Sequence, residues 1–298
     1  MKRIACIGEA MIELSPLGQN QARLGVAGDT FNTAVYLKRA APELEVDYIT
    51  RLGDDPFSEQ IRAAIAAEDV GTDGIETETG GTPGLYAITT SDTGERSFTY
   101  WRDTAAARHL FQTDSGADFS ALADYDLIYL SGITLAILPA QIRAGLLRFL
   151  HQNNLAYAFD SNYRPRLWES QSVAQTCVAS YFAGAHIALP SIDDEMDLME
   201  ETGDQVIARF MALGVQGALK RGAEGPLSLG QPVHQPYGRA PKVVDTTAAG
   251  DSFSGVYIAA IAQGASQAAA LMQAHTCASE VVQHRGAIIP RPHSKGAA

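Results

Sequence analysis

Cysteine is scarce in this 298-residue chain: Cys6, Cys177 and Cys277 lie far apart, with no C-x-x-C among them. Three scattered thiols make no disulfide framework and no zinc spacing. A reducing compartment follows. Long apolar runs are missing as well, and nothing approaches the roughly 18 residues of a membrane span. The start, Met1-Lys2-Arg3-Ile4, resembles a secretion signal, but Glu9 and Glu13 interrupt the apolar run too early. These absences predict a cytoplasmic protein with no membrane partner. Basic clusters are missing too. Lys and Arg number 22 against 34 Asp and Glu, a formal charge of −12. Nucleic acid is thereby excluded, since a duplex needs a basic face. A small anion is not, because a local pocket can hold one on an acidic protein. The seven histidines show no ligand spacing, and His275 and His284 are read as packing residues. There is no Walker A loop, and no Gly-x-Gly-x-x-Gly follows the first strand, which removes the common dinucleotide oxidoreductases.

What is present is a globular composition, 46% hydrophobic and 19% charged, with ample material for one large α/β core. Ile4–Ile7 reads as a buried strand, 28–40 as a helix with apolar Phe31, Ala34, Val35 and Leu37, Val46–Thr50 as a strand and 57–67 as a helix. That alternation predicts an open, mostly parallel sheet covered by helices. It breaks between residues 74 and 102. Leu85–Thr89 and Ser97–Trp101 flank a turn at Asp92-Thr93-Gly94, which predicts a hairpin. A hairpin inserted in an α/β chain forms its own layer, such as a lid. Residues 11–26 are assigned to the same lid, and residues 1–298 to a single domain. Strands at 127–130, 156–160, 187–189 and 217–219 alternate with helices at 139–150, 173–182 and 204–213. A hairpin region to Val244, a strand ending at Asp245 and two helices from Gly250 onward are expected next. The last eight residues read as a frayed tail.

The strongest local signal is Asp245-Thr-Thr-Ala-Ala-Gly-Asp251, small residues between a strand and a helix starting near Asp251. Backbone N–H groups of Ala248, Ala249 and Gly250 would there meet an anion at a helix N-terminus. Asp251 would be either a plain cap or a proton acceptor beside a transferring phosphoryl group, and spacing alone does not separate the two. As a base it is expected to be kept ionised by positive surroundings.

This segment resembles the C-terminal signature of the ribokinase-like (PfkB) carbohydrate kinases. Ile7-Gly8-Glu9, Ala27-Gly28-Asp29-Thr30-Phe31-Asn32, Arg51-Leu52-Gly53-Asp54-Asp55 and Lys220-Arg221-Gly222-Ala223-Glu224-Gly225 fall in family order, so the resemblance covers nearly the whole chain. Within that family the chain is most similar to bacterial kinases of 2-dehydro-3-deoxygluconate (KDG). Gly8–Leu14, Gly84–Tyr86, Gly94–Arg102, Leu130–Ile133, Asp160–Trp168 and Arg285–Pro290 carry that likeness.

The resemblance implies a doubly wound ribokinase-like fold, a sugar-acid substrate, ATP and Mg²⁺. It implies Asp251 as base, with Ala248, Ala249 and Gly250 as the anion hole. Gly28, Asn32, Tyr86, Tyr100, Arg102 and Arg164 match substrate positions. The chemistry of Arg102 and Arg164 agrees, because a planar guanidinium holds a carboxylate in two parallel bonds and a neutral sugar needs neither. Gly222 and Gly225 match the nucleotide loop. Lys220 stands where the family usually has Thr, and a Lys there can serve a phosphate. At Pro190–Glu195 the family pattern Asn-x-x-Glu, which organises magnesium through water, is replaced by Ser191 and Asp194 with Glu195 adjacent. Asp245 and Thr247 match part of a monovalent (K⁺) site. Lid strands in this family pair between subunits, which implies a homo-oligomer. The rival readings are a kinase for fructose or another sugar, and a catalytically silent sugar-acid sensor.

Overall fold

The computed structural model describes residues 1–18, 21–90 and 96–291. The turn expected at Asp92-Thr93-Gly94 and the tail after Arg291 lie outside them. In chain order, β1 (Arg3–Ile7), β2 (Met11–Gly18) and β3 (Gln21–Ala27) lead into α1 (Asp29–Ala40), β4 (Glu45–Leu52) and α2 (Pro56–Ala67). Next come β5 (Ile75–Thr77), β6 (Leu85–Thr90), β7 (Arg96–Trp101) and the short pair β8 (Gln112–Thr113) and β9 (Gly116–Ala117). The middle holds β10 (Leu127–Ser131), α3 (Gly132–Ile137), α4 (Ala140–Gln152), β11 (Tyr157–Asp160), α5 (Gln171–Gly184) and β12 (Ile187–Ala188). The chain continues through α6 (Ile192–Met199), α7 (Gly203–Leu213), β13 (Gln216–Leu219), β14 (Leu227–Leu229), α8 (Ala249–Ala262) and α9 (Gln267–Val281).

Among the described residues, eight strands form one sheet in the order β14-β13-β12-β11-β10-β1-β4-β5. All neighbours are parallel except the edge pair β13–β14. The first strand is central: Ile4 pairs with Leu127 on one side and Val46 on the other. Ile4 to Ile7 are fully buried, as expected of a parallel strand covered on both faces. One apolar cluster joins Phe31, Leu37, Ile61, Phe253 and Leu271 over one face, and a second joins Leu135, Leu146, Phe159, Phe182 and Phe210 over the other. Burying such a side chain contributes about 1.5–3 kcal/mol.

A separate sheet, β3-β2-β6-β7, forms the lid layer. Ile12 pairs in parallel with Leu85, and Tyr86 pairs in antiparallel with Tyr100.

Two expectations fail around the signature turn. No strand ends at Asp245, and β14 stops at Leu229, so the hairpin region does not extend to Val244. Pro232, Pro236 and Pro241 remove ladder donors through that stretch. The following helix starts at Ala249, earlier than expected, which puts Asp251 inside its first turn. Gly255 fixes where α8 lies. A Cβ there would stand 2.5 Å from the carbonyl oxygen of Thr33 on α1, a separation no side chain tolerates. The absent side chain lets the two helices touch, and that contact sets the site.

Candidate active site

The candidate residues gather just past the C-terminal ends of β1, β10, β11 and β13. The sheet grows outward in both directions from the β1–β10 pair, and α/β sheets bind ligands at such a switch point. Close packing of α8 on α1 brings Asn32 to Asp251, and Asn32 Nδ2 donates to Asp251 Oδ2 at 2.8 Å. The other end of that amide, Asn32 Oδ1, is buried with no partner among the described residues. A buried polar atom without a partner costs about 1–3 kcal/mol, so its vacancy marks a place for a ligand donor. Gly28 caps α1 and its carbonyl accepts the Asn32 N–H at 2.7 Å.

Ala248 caps α8 at φ 60°, in the left-handed region. Such a conformation costs a non-glycine residue about 1–2 kcal/mol, and such strain tends to collect at functional turns. The turn modifies the expected donor set. The Ala249 N–H is used by the Thr246 carbonyl at 3.2 Å, whereas those of Ala248 and Gly250 donate to no described group. Two of the three expected donors therefore remain at the helix start, where the dipole adds to them.

Asp251 does not sit in positive surroundings, contrary to expectation. Burial and the nearby Asp29 push its pKa up to about 8, with Asp160 adding to the rise and Asn32 and Lys220 opposing it. The sequence reading assigned neither Asp29 nor Asp160 a role of its own at the site. Asp29 accepts from Ser131 Oγ at 2.5 Å and from Asn162 Nδ2 at 2.8 Å. Asp160 is buried at the end of β11 and takes Ser254 Oγ at 3.0 Å and the ammonium of Lys220. The readable signal for Asp160 was its place at the end of a parallel strand.

Both arginines expected to hold a carboxylate already hold one of the protein's own. Arg102 is buried and its guanidinium pairs with buried Glu9, just past β1. Burial pushes the Glu9 carboxyl up, and Arg102 counters it. Glu9 Oε1 and Arg102 Nε are left without partners among the described residues. Arg164 is half-exposed; its Nη1 donates to the Tyr163 carbonyl at 2.6 Å and reaches Asp194 at 3.3 Å. On the lid, the Tyr86 hydroxyl donates to Glu13, and its ring lies 5.6 Å from that of Tyr100. Arg102 stands 5.9 Å from the Tyr100 ring centre.

The expected metal positions divide. Asp194 stands near Asp160 and Lys220, with its carboxyl pushed up by burial and held down by Arg164. Its oxygens suit Mg²⁺, which keeps most of its waters. Glu195 does not fit: it is fully buried, turned to Arg209 of α7 at 2.9 Å, and raised to about 7 by burial. The face of α6 that Glu195 shares with buried Leu198 turns it into the body. Asp245 accepts from Thr247 N–H at 3.1 Å, Thr247 Oγ1 at 2.7 Å and Gly286 N–H at 2.9 Å, so the pair ties the turn to the chain after α9. Among the described residues no three acidic, His or Cys side chains converge as a metal cluster.

The nucleotide-loop glycines also divide. Gly222 has φ +53° and open space where a Cβ would be, while a Cβ on Gly225 would stand 2.6 Å from the Tyr237 ring. Gly225 therefore answers to Tyr237 and to its own φ of +79°. Lys220 turns inward, away from this loop, onto Asp160. No helix among the described residues is long and apolar enough to cross a membrane.

The profile of the pfkB family carbohydrate kinases matches residues 1–294. A 2-dehydro-3-deoxygluconokinase of Dickeya dadantii is 45% identical, with 97% of each chain covered. The enzyme of the same name from Escherichia coli K12 is 44% identical over 97% of this chain and 98% of its own. Among solved structures, a putative ribokinase II of E. coli in complex with ATP and Mg²⁺ shares the fold. Its TM-score is 0.81 at 22% identity, covering 96% of this chain and 94% of that one.

Proposed function

The chain belongs to the pfkB family of carbohydrate kinases, and we propose that it phosphorylates 2-dehydro-3-deoxy-D-gluconate with ATP, giving the 6-phosphate. The observation that carries the reaction type is the Asp251 carboxylate at the start of α8, paired with an Asn32 whose buried oxygen lacks a partner. In this reading the terminal hydroxyl oxygen of the sugar acid attacks the γ-phosphorus. The bond from that phosphorus to the bridging oxygen of ADP breaks, and the hydroxyl proton passes to Asp251. The N–H groups of Ala248 and Gly250 meet charge on the transferred phosphoryl group. Asp194 would organise the waters of a bound Mg²⁺, which would supply positive charge against the phosphates of ATP. A monovalent cation beside Asp245 and Thr247 belongs to the same reading, and rates in K⁺ and Na⁺ test it.

The substrate class rests on the curated relatives together with Arg102 and Arg164. Each holds an internal carboxylate, and a substrate carboxylate can take that place. Closing the lid layer over the cleft would exclude water and protect ATP from hydrolysis. The test compares kcat/KM for KDG and fructose in wild type and Arg164→Lys. Lysine keeps the charge and loses the planar fork. Weakening for KDG alone, worth about 1.5–3 kcal/mol, is expected. A wild type that prefers fructose removes the sugar-acid reading, and one without ATP turnover leaves the silent sensor.

A further inference from the structure

Lys220 directly follows β13, and its side chain is only 10% exposed. The ammonium donates to Asp160 and lies 3.4 Å from Ser254 Oγ on α8. It also stands 3.4 Å from where a Cβ of Gly250 would be. The ammonium therefore lies against the first turn of α8 at Gly250, where no side chain stands between them. Asn32 Oδ1, buried and unpartnered among the described residues, belongs to the amide that pairs with Asp251 of the same turn.

The charge around Asp251 is one-sided. Asp29 and Asn32 face Asp251 from α1, Asp160 from the end of β11 and Lys220 from the end of β13. Tyr36 and Tyr129 lie within its electrostatic reach and are held neutral by burial. A phosphoryl group bearing several negative charges must enter among three carboxylates. Backbone donors alone offset little of that repulsion, whereas a buried ammonium acts in a medium of low effective dielectric.

We propose that Lys220 is the fixed cation of the phosphoryl-transfer site, reaching the γ-phosphate across the face that Gly250 leaves bare. The proposal rests on the kinase reading but not on which sugar acid is used. Two consequences separate it from mere neutralisation of Asp160. The ammonium favours ATP over ADP, because only ATP carries the γ-phosphate. Its loss lowers turnover even when Asp160 is also made neutral.

The test uses the full chain with Lys220→Met, Lys220→Arg and the double variant Lys220→Met/Asp160→Asn. Dissociation constants for ATP and ADP are measured without acceptor, so a wrong choice of sugar leaves them readable. Lys220→Met is expected to weaken ATP at least tenfold with little change for ADP, and Lys220→Arg to recover part of that preference. Turnover, measured with the best acceptor found, is expected to fall by about 10²–10³ in Lys220→Met, the usual loss for one charge-stabilising donor. The double variant regains thermal stability, because no buried carboxylate is left unpaired, but not turnover. Equal weakening of ATP and ADP overturns the proposal. So does a double variant that recovers wild-type turnover and ATP affinity.

Discussion

In the proposed reaction Asp251 serves as base in surroundings that oppose its charge, and its expected pH behaviour follows. With a pKa near 8, kcat/KM should rise with pH up to about that value. Asp29→Asn removes a cause of the rise, so the acid limb should move to lower pH; an unmoved limb would assign the titration elsewhere. Asp251→Asn should cut kcat by about two to four powers of ten, the range for a lost general base. The same substitution should stabilise the ligand-free protein. The folded state holds a proton that the unfolded chain has released above its ordinary value near 4, so stability falls as pH rises from there to about 8. The gain in Tm should be full above pH 8 and vanish below pH 4, as paired thermal melts would show. Glu9 and Arg102 separate structure from binding in another way. Arg102→Met leaves Glu9 buried and unpaired, a loss of about 3–5 kcal/mol. Adding Glu9→Gln should return most of the stability in denaturant melts, while KM for the sugar acid stays high if Arg102 meets its carboxylate.

The α1–α8 contact is the element on which the site depends, and Gly255 is its weakest point. Gly255→Ala places a methyl group 2.5 Å from Thr33 O and 2.8 Å from Leu37 N. The helices must part, which moves Asp251 from Asn32. Activity should drop more than tenfold even at temperatures where circular dichroism reports a folded chain, since about 1 Å of misplacement can cost a hundredfold. Full activity would show that the contact yields without consequence. Much of this element order was legible in the sequence. Strand and helix runs such as Ile4–Ile7 and 57–67 carry their periodicity openly, and the parallel sheet followed from their alternation. The turn at Asp245–Asp251 was legible as a motif but not as geometry. A left-handed Ala248 and the Thr246 carbonyl that occupies the Ala249 N–H depend on neighbours that no local pattern encodes. Glu195 and Asp194 are adjacent, and only the facing of α6 decides which one enters the body. Asp29, Asp160 and Glu9 gain their roles from charges that are distant in the chain.

At the scale of the whole molecule, the lid layer leaves Leu17, Leu24, Phe98 and Trp101 exposed, and such side chains invite burial against a second copy. Self-association should appear in sedimentation and weaken in Trp101→Glu; a wild type that stays monomeric at high concentration would set the lid pairing aside. The central place of β1 has a different consequence, for the growing chain. Its partners β4 and β10 are both complete once Ser131 has been made, so the middle of the sheet can assemble while synthesis continues. The face of α1 that carries Phe31 and Val35 must wait for Phe253 and Tyr257 on α8. Until α8 leaves the ribosome, that apolar face is bare and open to chaperones or to wrong partners. Asn32 and Asp251 meet in the same event, so the nascent chain owns the heart of its fold long before it can turn over a substrate.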